Sequence, residues 1–300
     1  MKPLEKIKIN YELKRRSFGE SISYFFALLF VGLDDKFREW NFKRRYLRNG
    51  KFDFKGIFLP DISKNNDLFS TLRVEVFEDT FFIHCFHNDN YDKSLVDRLD
   101  PLLPEGAYGY TDENFDVTVK PEDIVIDAGA WIGDFSAYAA SKGATVYAFE
   151  PTELTFGVLQ KTAEMNNFRI IPVQKGLGET TGEKTMLTNT SGSAASSFMQ
   201  NEWTNSFPDK REEAIRITTV DDFVRENNLL KVDFIKADIE GFERYMLAGA
   251  KDTLRRFAPK LAICTYHSQE DPQLLKQIIL KANPNYTIVQ KRKKLYAAVI

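Results

Sequence analysis

Three acidic side chains each come at the end of a short apolar segment of the chain. Asp127 follows the apolar run at 124–126, Glu150 ends the run TVYAFE, and Asp238 follows FIKA. If these runs are parallel strands, their carboxyl ends meet at one edge of a sheet, where open α/β sheets bind ligands. Carboxylates there can accept hydrogen bonds from hydroxyl groups, hold a cation or take up a proton. The spacing therefore predicts one site built from three strand ends.

A glycine turn follows the first of these segments, with the spacing Asp127-x-Gly129-x-x-x-Gly133. Glycines permit positive φ and a close approach of the main chain to a ligand. A dinucleotide-binding fingerprint would need a glycine where Trp131 stands. The Asp127 carboxylate would repel pyrophosphate but suits a cation such as the amino group of S-adenosylmethionine, and Glu150 can bind both ribose hydroxyls. The turn therefore favours a sulfonium cofactor over a dinucleotide.

The segments after the fourth and fifth predicted strands carry groups able to accept a proton. Asp238 and Glu240 are two residues apart and share a strand face with Lys236, which can balance one of them electrostatically. Asp238 is the first candidate for orienting an acceptor hydroxyl or accepting its proton, and His267 is the second. Glu240 either joins them, holds its own loop by accepting N–H groups, or caps the helix predicted over 242–249. His267 has the alternative of capping the helix that begins near residue 270.

Asp238, Glu240 and His267 could together hold a divalent ion, since carboxylate and imidazole groups are common metal ligands. This set permits a metal without being diagnostic of one, so we predict no metal site. His84 and His87 lie in an aromatic segment far from these residues and are expected to be structural.

Short apolar strands alternate with helical stretches from Asp123 onward, which indicates βαβ units and a mostly parallel sheet. The terminal segments YTIVQ and LYAAVI surround KRKK and predict a hairpin that adds an antiparallel edge. The fold class expected is therefore α/β, a doubly wound Rossmann-like sheet with an antiparallel C-terminal edge. The predicted strands are 123–129, 145–150, 169–176, 234–240, 261–267, 286–290 and 295–300.

The first third of the chain has a different, mixed pattern that is rich in aromatic residues. It predicts helices near 20–30 and 34–48, followed by strand-like pieces at 54–60 and between 72 and 86. We therefore expect a smaller α+β accessory domain over 1–104 and the Rossmann-like domain over 105–300.

The composition is that of an ordinary globular protein, with a net charge of −2 and a pI near 6.1. This balance argues against nucleic-acid binding, which usually needs a strongly basic domain. The segment from Met1 to Lys55 holds 14 basic against 7 acidic residues, which leaves peripheral contact with an anionic membrane open. Cys85 and Cys264 are expected to be buried thiols. The apolar run at 22–31 is half the ~20 residues that a membrane span needs and no signal peptide is apparent, so a cytoplasmic protein is expected.

Two blocks of the chain resemble the FkbM family of methyltransferases. They are VIDAGAWIGDFSAYAASKGATVYAFEP at 125–151 and VDFIKADIEGFERYMLAGA at 232–250, in the family's order. The resemblance covers residues 121–285, and IKADIEGFE is the more specific motif. It implies a class I, S-adenosylmethionine-dependent enzyme that methylates a hydroxyl oxygen of a sugar, glycan or natural-product scaffold.

The resemblance also implies roles for individual residues. Glu150, with Pro151, would contact the ribose of the cofactor, and Gly176 with Leu177 would lie against adenine, although the family often has alanine at 176. Tyr108, with Tyr110 nearby, matches a tyrosine-bearing segment over the cofactor, and Ser193 matches a segment near the active site. Asp127, Gly129 and Gly133 would line the methionine part of the cofactor. Ala130, Trp131 and Asp238 are also expected to contact the cofactor.

Two other functions remain open at this stage. A nitrogen methyltransferase would need less base catalysis, because a neutral amine is already nucleophilic. A non-catalytic Rossmann-like module could instead use its basic N-terminus to dock on a membrane or a partner. Neither the acceptor nor the oligomeric state follows from the sequence.

Overall fold

The computed structural model describes residues 31–75, 108–189, 210–265 and 271–300. The chain divides into two compact units, Met1–Leu47 and Arg48–Ile300. The described part of the first unit contains helix α1 (Val31–Tyr46), close to the helix predicted over 34–48, and strand β1 (Leu47–Arg48) lies across the division. The helix predicted near 20–30 and the domain boundary predicted at 104 lie outside the described residues and stay predictions.

The second unit opens with a hairpin of strands β2 (Lys51–Phe54) and β3 (Ile57–Pro60). Lys55 and Gly56 turn the chain with φ values of 57° and 92°, and the Asp53 carboxylate accepts the Gly56 N–H at 2.9 Å. Positive φ at both central residues is the geometry of a tight two-residue hairpin turn. The single strand predicted over 54–60 is therefore wrong at its start.

Helix α2 (Asn66–Glu75) follows, where the sequence predicts a strand from residue 72. Asn65 caps it, since its side-chain oxygen accepts the Leu68 N–H at 3.1 Å. Leu68, Phe69 and Leu72 are buried together at helical spacing. The strand prediction is wrong for 72–75 because Leu72 belongs to this apolar stripe, and 76–86 lie outside the described residues.

A seven-stranded sheet forms the centre of the second unit. Its strands are β6 (Ile124–Ala128), β7 (Thr145–Phe149), β8 (Arg169–Val173), β12 (Phe234–Ala237), β13 (Lys260–Cys264), β14 (Tyr286–Lys291) and β15 (Lys294–Val299). Each corresponds to a predicted strand, so the strand predictions for this region are confirmed, with ends shifted by up to three residues.

The spatial order of the sheet is β14-β15-β13-β12-β6-β7-β8. β13, β12, β6, β7 and β8 pair in parallel, whereas β15 pairs antiparallel with both β13 and β14. Chain order reverses at β6, from which the strands proceed to β7 and β8 on one side and to β12 and β13 on the other. This confirms the class I methyltransferase fold, with its antiparallel pairing at the C-terminal edge.

Helices connect the strands and cover both faces of this sheet. They are α3 (Asp134–Ser141), α4 (Glu153–Met165), α5 (Val220–Glu226), α6 (Glu243–Ala248), α7 (Lys251–Phe257) and α8 (Asp271–Ala282). Phe234 of β12 packs on Phe135 of α3, with ring centroids 6.2 Å apart. Ile235, which points to the other face, joins a core that includes Leu247 of α6 and Leu275 of α8.

Smaller sheets flank this core. β4 (Tyr110–Thr111) pairs with β5 (Asp116–Val117), and β9 (Gly176–Leu177), β10 (Gly182–Asn189) and β11 (Lys210–Thr218) form a three-stranded sheet. In the described parts of the chain, no helix is both long and apolar enough to cross a membrane.

Candidate active site

The glycine turn after β6 packs directly against the loop after β12. Gly129 has φ of +76°, and a Cβ there would lie 2.0 Å from the carbonyl oxygen of Asp238. The N–H groups of Gly129 and Ala130 both donate to the Phe149 carbonyl, at 3.0 and 2.9 Å. Only glycine fits this contact, which brings the ends of β6, β7 and β12 together as the sequence predicts.

The rest of the turn is equally constrained. Gly133 has φ of +86°, and a Cβ there would lie 2.7 Å from the Leu159 side chain on α4. Trp131 adopts φ of +49° although it is not glycine, a conformation that costs about 1–3 kcal/mol. The Trp131 side chain is buried, and its indole Nε1 has no hydrogen-bond partner among the described residues.

Glu150, at the end of β7, is buried and held by four donors. Its Oε2 accepts the Trp131 N–H at 3.0 Å. Its Oε1 accepts the Thr152 N–H at 3.1 Å and the hydroxyls of Thr152 and Thr155, each at 2.7 Å. Burial raises the pKa of Glu150, and these hydrogen bonds act against that rise. The result is a fixed carboxylate joined directly to the glycine turn.

Asp127, at the end of β6, forms a buried ion pair with Lys236 of β12. Its Oδ1 lies 3.0 Å from Lys236 Nζ, and its Oδ2 accepts the Ser136 hydroxyl at 2.5 Å. Lys236 Nζ also donates to the carbonyls of Gly129 at 2.6 Å and Ala128 at 3.3 Å. The parallel register places Lys236 opposite Asp127, so the pair follows from the strand alignment.

The ion pair changes the electrostatic interpretation of this strand end. Burial alone would lower the pKa of Lys236, but the charges of Asp127, Asp238 and Asp134 outweigh burial and raise it. The sequence suggested that a ligand would bring a positive charge to Asp127. In the structure, Lys236 supplies that charge. Asp127 alone therefore does not require a cationic cofactor, and direct contact between Asp127 and the cofactor stays a prediction.

Tyr108, from the segment before β4, reaches the loop after β12. Its hydroxyl donates to Asp238 Oδ2 at 2.5 Å. Its ring meets Phe135 of α3 edge-on, with centroids 5.3 Å apart, and lies 5.0 Å from Lys236 Nζ. Tyr108 is buried, whereas Asp238 is half-buried and keeps contact with solvent. The structure thus brings two sequence-predicted site residues together in a contact that the sequence did not suggest.

A second buried lysine lies on the same side of the sheet. Lys294 begins β15, opposite Cys264 at the end of β13, and its Nζ lies 3.3 Å from Cys264 Sγ and 4.2 Å from the Tyr108 ring centroid. Burial raises the pKa of the Cys264 thiol well above its usual value, as do Asp238 and Glu243, against the opposite effect of the two lysines. The sequence did not predict that Lys294 is buried, because KRKK has the composition of an exposed turn.

The loop after β12 differs from the prediction in one respect. β12 ends at Ala237, so Asp238 and Glu240 do not continue the strand alternation with Lys236, and the shared face predicted for them is wrong. Glu240 and Gly241 have φ of 55° and 94° in a turn closed by a hydrogen bond from the N–H of Phe242 to the carbonyl of Ile239. The short DIEG segment reverses the chain before α6, which the alternation pattern could not reveal.

Glu243 holds this loop, and the same role for Glu240 stays a prediction. The Oε1 of Glu243 accepts the Ile239 N–H at 2.9 Å, and Glu243 lies buried in the first turn of α6. A carboxylate there also interacts favourably with the N-terminal end of the helix dipole. The sequence signal for this role is the acidic residue three positions after Glu240, at the start of a predicted helix.

The segment predicted to face adenine, Gly176 and Leu177, is buried as β9 after the third strand of the sheet. It pairs with Ile217 and Thr218 of β11. Pro151, predicted beside the ribose, is half-buried directly after Glu150. Both segments lie where the chain leaves the carboxyl ends of β7 and β8.

Comparison with known protein families gives a match over the region that contains this site. The model of the "Methyltransferase FkbM domain" family matches residues 127–285. The chain belongs to this family. The matched range holds each strand-end acid described above, whereas Tyr108 lies N-terminal to the FkbM domain.

Individual relatives show which proteins the FkbM domain resembles. A protein named Methyltransferase 1 from Beauveria bassiana is 29% identical, with the match spanning 48% of this chain and 65% of that protein. The hexuronic acid methyltransferase AglP from Haloferax volcanii is 26% identical over 54% of this chain and 64% of that protein. The chain thus covers less than two thirds of these relatives' own length.

Among solved structures, the methyltransferase FkbM from Methylobacillus flagellatus is 27% identical to this chain. That likeness covers 59% of this chain and 43% of the solved one, with a TM-score of 0.44.

Other predicted residues of the FkbM domain lie outside the described part of the chain. They are His267, the second base candidate, and Ser193. His84 and His87, which precede the domain, are outside it as well. The described residues contain no group of three or more His, Cys, Asp or Glu side chains that could hold a metal ion. The set of Asp238, Glu240 and His267 stays untested, because His267 is not described.

Proposed function

We propose that the protein is an S-adenosylmethionine-dependent methyltransferase that methylates a hydroxyl oxygen of a sugar, glycan or natural-product acceptor. The observation that carries this proposal is the link between Glu150 and the glycine turn. The Trp131 N–H donates to Glu150 Oε2 at 3.0 Å, within a domain of the FkbM family. A turn and a carboxylate fixed together can bind the two ends of one nucleoside-containing ligand.

The residues at this edge fit such a cofactor. A carboxylate has about four acceptor positions, and Glu150 Oε2 accepts one N–H in the described structure, so it can also accept from a ribose hydroxyl. The buried indole Nε1 of Trp131 can donate to a polar group of the ligand, which would satisfy an otherwise costly buried donor. Glu150 and Trp131 would therefore hold the cofactor, and the N–H groups of the turn would shape its cradle.

The charge at this edge also suits a sulfonium. Among the described residues, Lys236 pairs with Asp127, and Asp134, Asp238 and Glu150 are three further carboxyl groups near the ends of β6, β7 and β12. A positive ligand is favoured there, and a product without that charge would be held less tightly.

When bound, S-adenosylmethionine supplies a methyl carbon that its sulfonium has already activated. The chain then has to align the acceptor oxygen with that carbon and exclude water from the alignment. As the oxygen–carbon bond forms and the carbon–sulfur bond breaks, the acceptor hydroxyl loses its proton. Asp238, half-buried at the end of β12, is our proposed recipient of that proton, and His267 is the alternative.

The acceptor class rests on the relatives. One of them is named for methylation of a hexuronic acid, which supports a carbohydrate acceptor for this chain. The proposed order of events therefore ends with a methyl ether on a sugar ring and the released S-adenosylhomocysteine.

The test uses S-adenosylmethionine with an isotopically labelled methyl group and matched acceptor pairs. Each pair consists of a hexuronic acid glycoside and the same glycoside with an amine in place of one hydroxyl, and tandem mass spectrometry locates the label on a hydroxyl oxygen, the carboxylate or the amine. We expect label on the hydroxyl oxygens and at least tenfold less turnover with Asp238→Asn, whereas Asp252→Asn, at an exposed side chain of α7, keeps wild-type turnover. Label on the amines alone would replace oxygen by nitrogen as the acceptor.

A further inference from the structure

The contact between Tyr108 and Asp238 joins a residue before the FkbM domain to the proposed proton acceptor. We propose that Tyr108 is a positioning residue that fixes the Asp238 carboxylate for proton transfer, rather than a residue that binds the cofactor. This inference rests on the proposed function, because it assigns Asp238 a part in the reaction.

The Tyr108 ring is held firmly enough to fix its hydroxyl. It is buried, meets Phe135 edge-on at 5.3 Å, and has the ammonium groups of Lys236 and Lys294 at 5.0 and 4.2 Å from its centroid. A cation near an aromatic face is attracted to the ring, more strongly when both are removed from water. Contacts from three separate elements, α3, β12 and β15, therefore determine where the hydroxyl lies.

Asp238 needs such support because its strand has ended. Its main chain is fixed, since its N–H donates to the Ala128 carbonyl at 3.1 Å and its carbonyl oxygen lies against Gly129. Its half-buried side chain, in contrast, projects from a loop that turns at Glu240. The 2.5 Å hydrogen bond from Tyr108 selects one orientation of the carboxylate. A donor to a carboxylate also favours its ionised form, which is the form that can accept a proton.

Other ionisable groups surround Tyr108 and Asp238 and contribute to the electrostatic potential there. They are Asp127 on β6, Asp134 on α3, Lys236 on β12, Glu243 on α6, Cys264 on β13 and Lys294 on β15. Tyr108→Phe leaves all of these side chains in place. The effect of the Tyr108 hydroxyl on Asp238 can therefore be measured separately.

The test is Tyr108→Phe, which keeps the ring and its contacts with the lysines and Phe135. Aspartate labelled with ¹³C at the side-chain carboxyl reports the titration of Asp238 in the cofactor-free protein, and Asp238→Asn assigns the signal. We expect the pKa of Asp238 to rise by about one unit, because the ionised form loses a donor. In the methyl-transfer assay we expect kcat to fall about tenfold or more while KM for S-adenosylmethionine stays within about twofold.

Tyr286→Phe is the matched control. Tyr286 is buried and its hydroxyl donates to the Pro259 carbonyl at 2.7 Å. The substitution removes a buried, hydrogen-bonded phenolic hydroxyl outside the candidate site, so we expect no change in the titration of Asp238 or in kcat.

An unchanged pKa of Asp238 in Tyr108→Phe would overturn the inference. So would a loss confined to the affinity for S-adenosylmethionine, which would make Tyr108 a cofactor-binding residue. Failure of the proposed function looks different, because the wild-type protein itself would then neither bind S-adenosylmethionine nor transfer its methyl group.

Discussion

The Lys236 ammonium lies 3.0 Å from Asp127 Oδ1, and both side chains are buried beneath the glycine turn. The same nitrogen donates to the Gly129 carbonyl at 2.6 Å, so the ion pair and the turn form one unit. The shape of the proposed cofactor cradle therefore depends on Lys236 of β12 as well as on the turn residues.

Lys236→Met tests this dependence. The substitution keeps an unbranched side chain but leaves Asp127 buried without its cation, a situation that costs about 3–5 kcal/mol. We expect the free energy of unfolding, measured by urea titration, to fall by that amount. Lys231→Met is the matched control: Lys231 pairs with Asp233 at 2.8 Å at the surface, where an ion pair contributes less than about 1 kcal/mol.

The double variant Asp127→Leu with Lys236→Met removes both charges. It should be more stable than Lys236→Met alone, because no unpaired charge stays buried. If Lys236→Met and Lys231→Met lowered the free energy of unfolding by the same amount, the role assigned to the ion pair of Asp127 and Lys236 would be contradicted.

Gly129→Ala tests the contact between the loops after β6 and β12. A Cβ there would lie 2.0 Å from the Asp238 carbonyl oxygen, and φ of +76° disfavours alanine. We therefore expect the free energy of unfolding to fall by at least about 2 kcal/mol. Gly157→Ala is the control, since Gly157 lies within α4 and a Cβ there would meet none of the described residues packed around the helix within 4 Å. That variant should be up to about 1 kcal/mol more stable than the wild type. A mild effect of Gly129→Ala, similar to that of an ordinary surface substitution, would show that the two loops separate easily.

Trp131→Phe tests the buried indole nitrogen. The substitution keeps an aromatic side chain and removes an N–H that has no partner in the described structure. If that N–H binds the cofactor, the Kd for S-adenosylmethionine should rise about tenfold or more. We also expect cofactor addition to quench the tryptophan fluorescence of the wild-type protein and of Trp40→Phe, but not that of Trp131→Phe. An unchanged Kd would remove Trp131 Nε1 from the binding site.

Tyr286→Phe tests the effect of a buried phenol on stability at alkaline pH. Tyr286 donates its hydroxyl to the Pro259 carbonyl at 2.7 Å, and burial raises its pKa above the ordinary 10.0. Above pH 10.0 the unfolded chain releases this proton and the folded chain keeps it, so stability falls as pH rises. The variant should lose about 1 kcal/mol near neutral pH, and its deficit against wild type should shrink as pH rises above 10.0. A constant deficit in urea titrations over this range would contradict the assignment.

The sequence was sufficient for the presence of the seven strands of the central sheet and for the glycine turn, because these depend on local patterns. The apolar runs before Asp127, Glu150 and Asp238 indicate three of these strands, although not the exact end of β12, and the hairpin of β14 and β15 follows from two apolar runs around KRKK. The sequence-based prediction was wrong where the apolar stripe of a helix resembled the alternating pattern of a strand, as at Leu72 in α2.

The partners of the buried charges could not be predicted in the same way. Lys236 meets Asp127, and Lys294 meets Cys264, only because the strand registers place them side by side. Tyr108 reaches Asp238 across 130 residues of sequence. Such contacts depend on how whole elements pack, and no spacing within a single segment encodes them.

The central claim is that the turn after β6 and Glu150 bind S-adenosylmethionine, and calorimetric titration of the cofactor into the wild-type protein tests it most directly. Two variants complete the experiment once thermal melts show that they are folded. Glu150→Gln keeps the size of the side chain and removes its charge. Glu153→Gln makes the same change at an exposed residue in the first turn of α4. We predict binding by the wild type and by Glu153→Gln, with at least about tenfold weaker binding by Glu150→Gln. No binding heat for the wild-type protein at any temperature tried, with no protection against thermal unfolding, would contradict the claim.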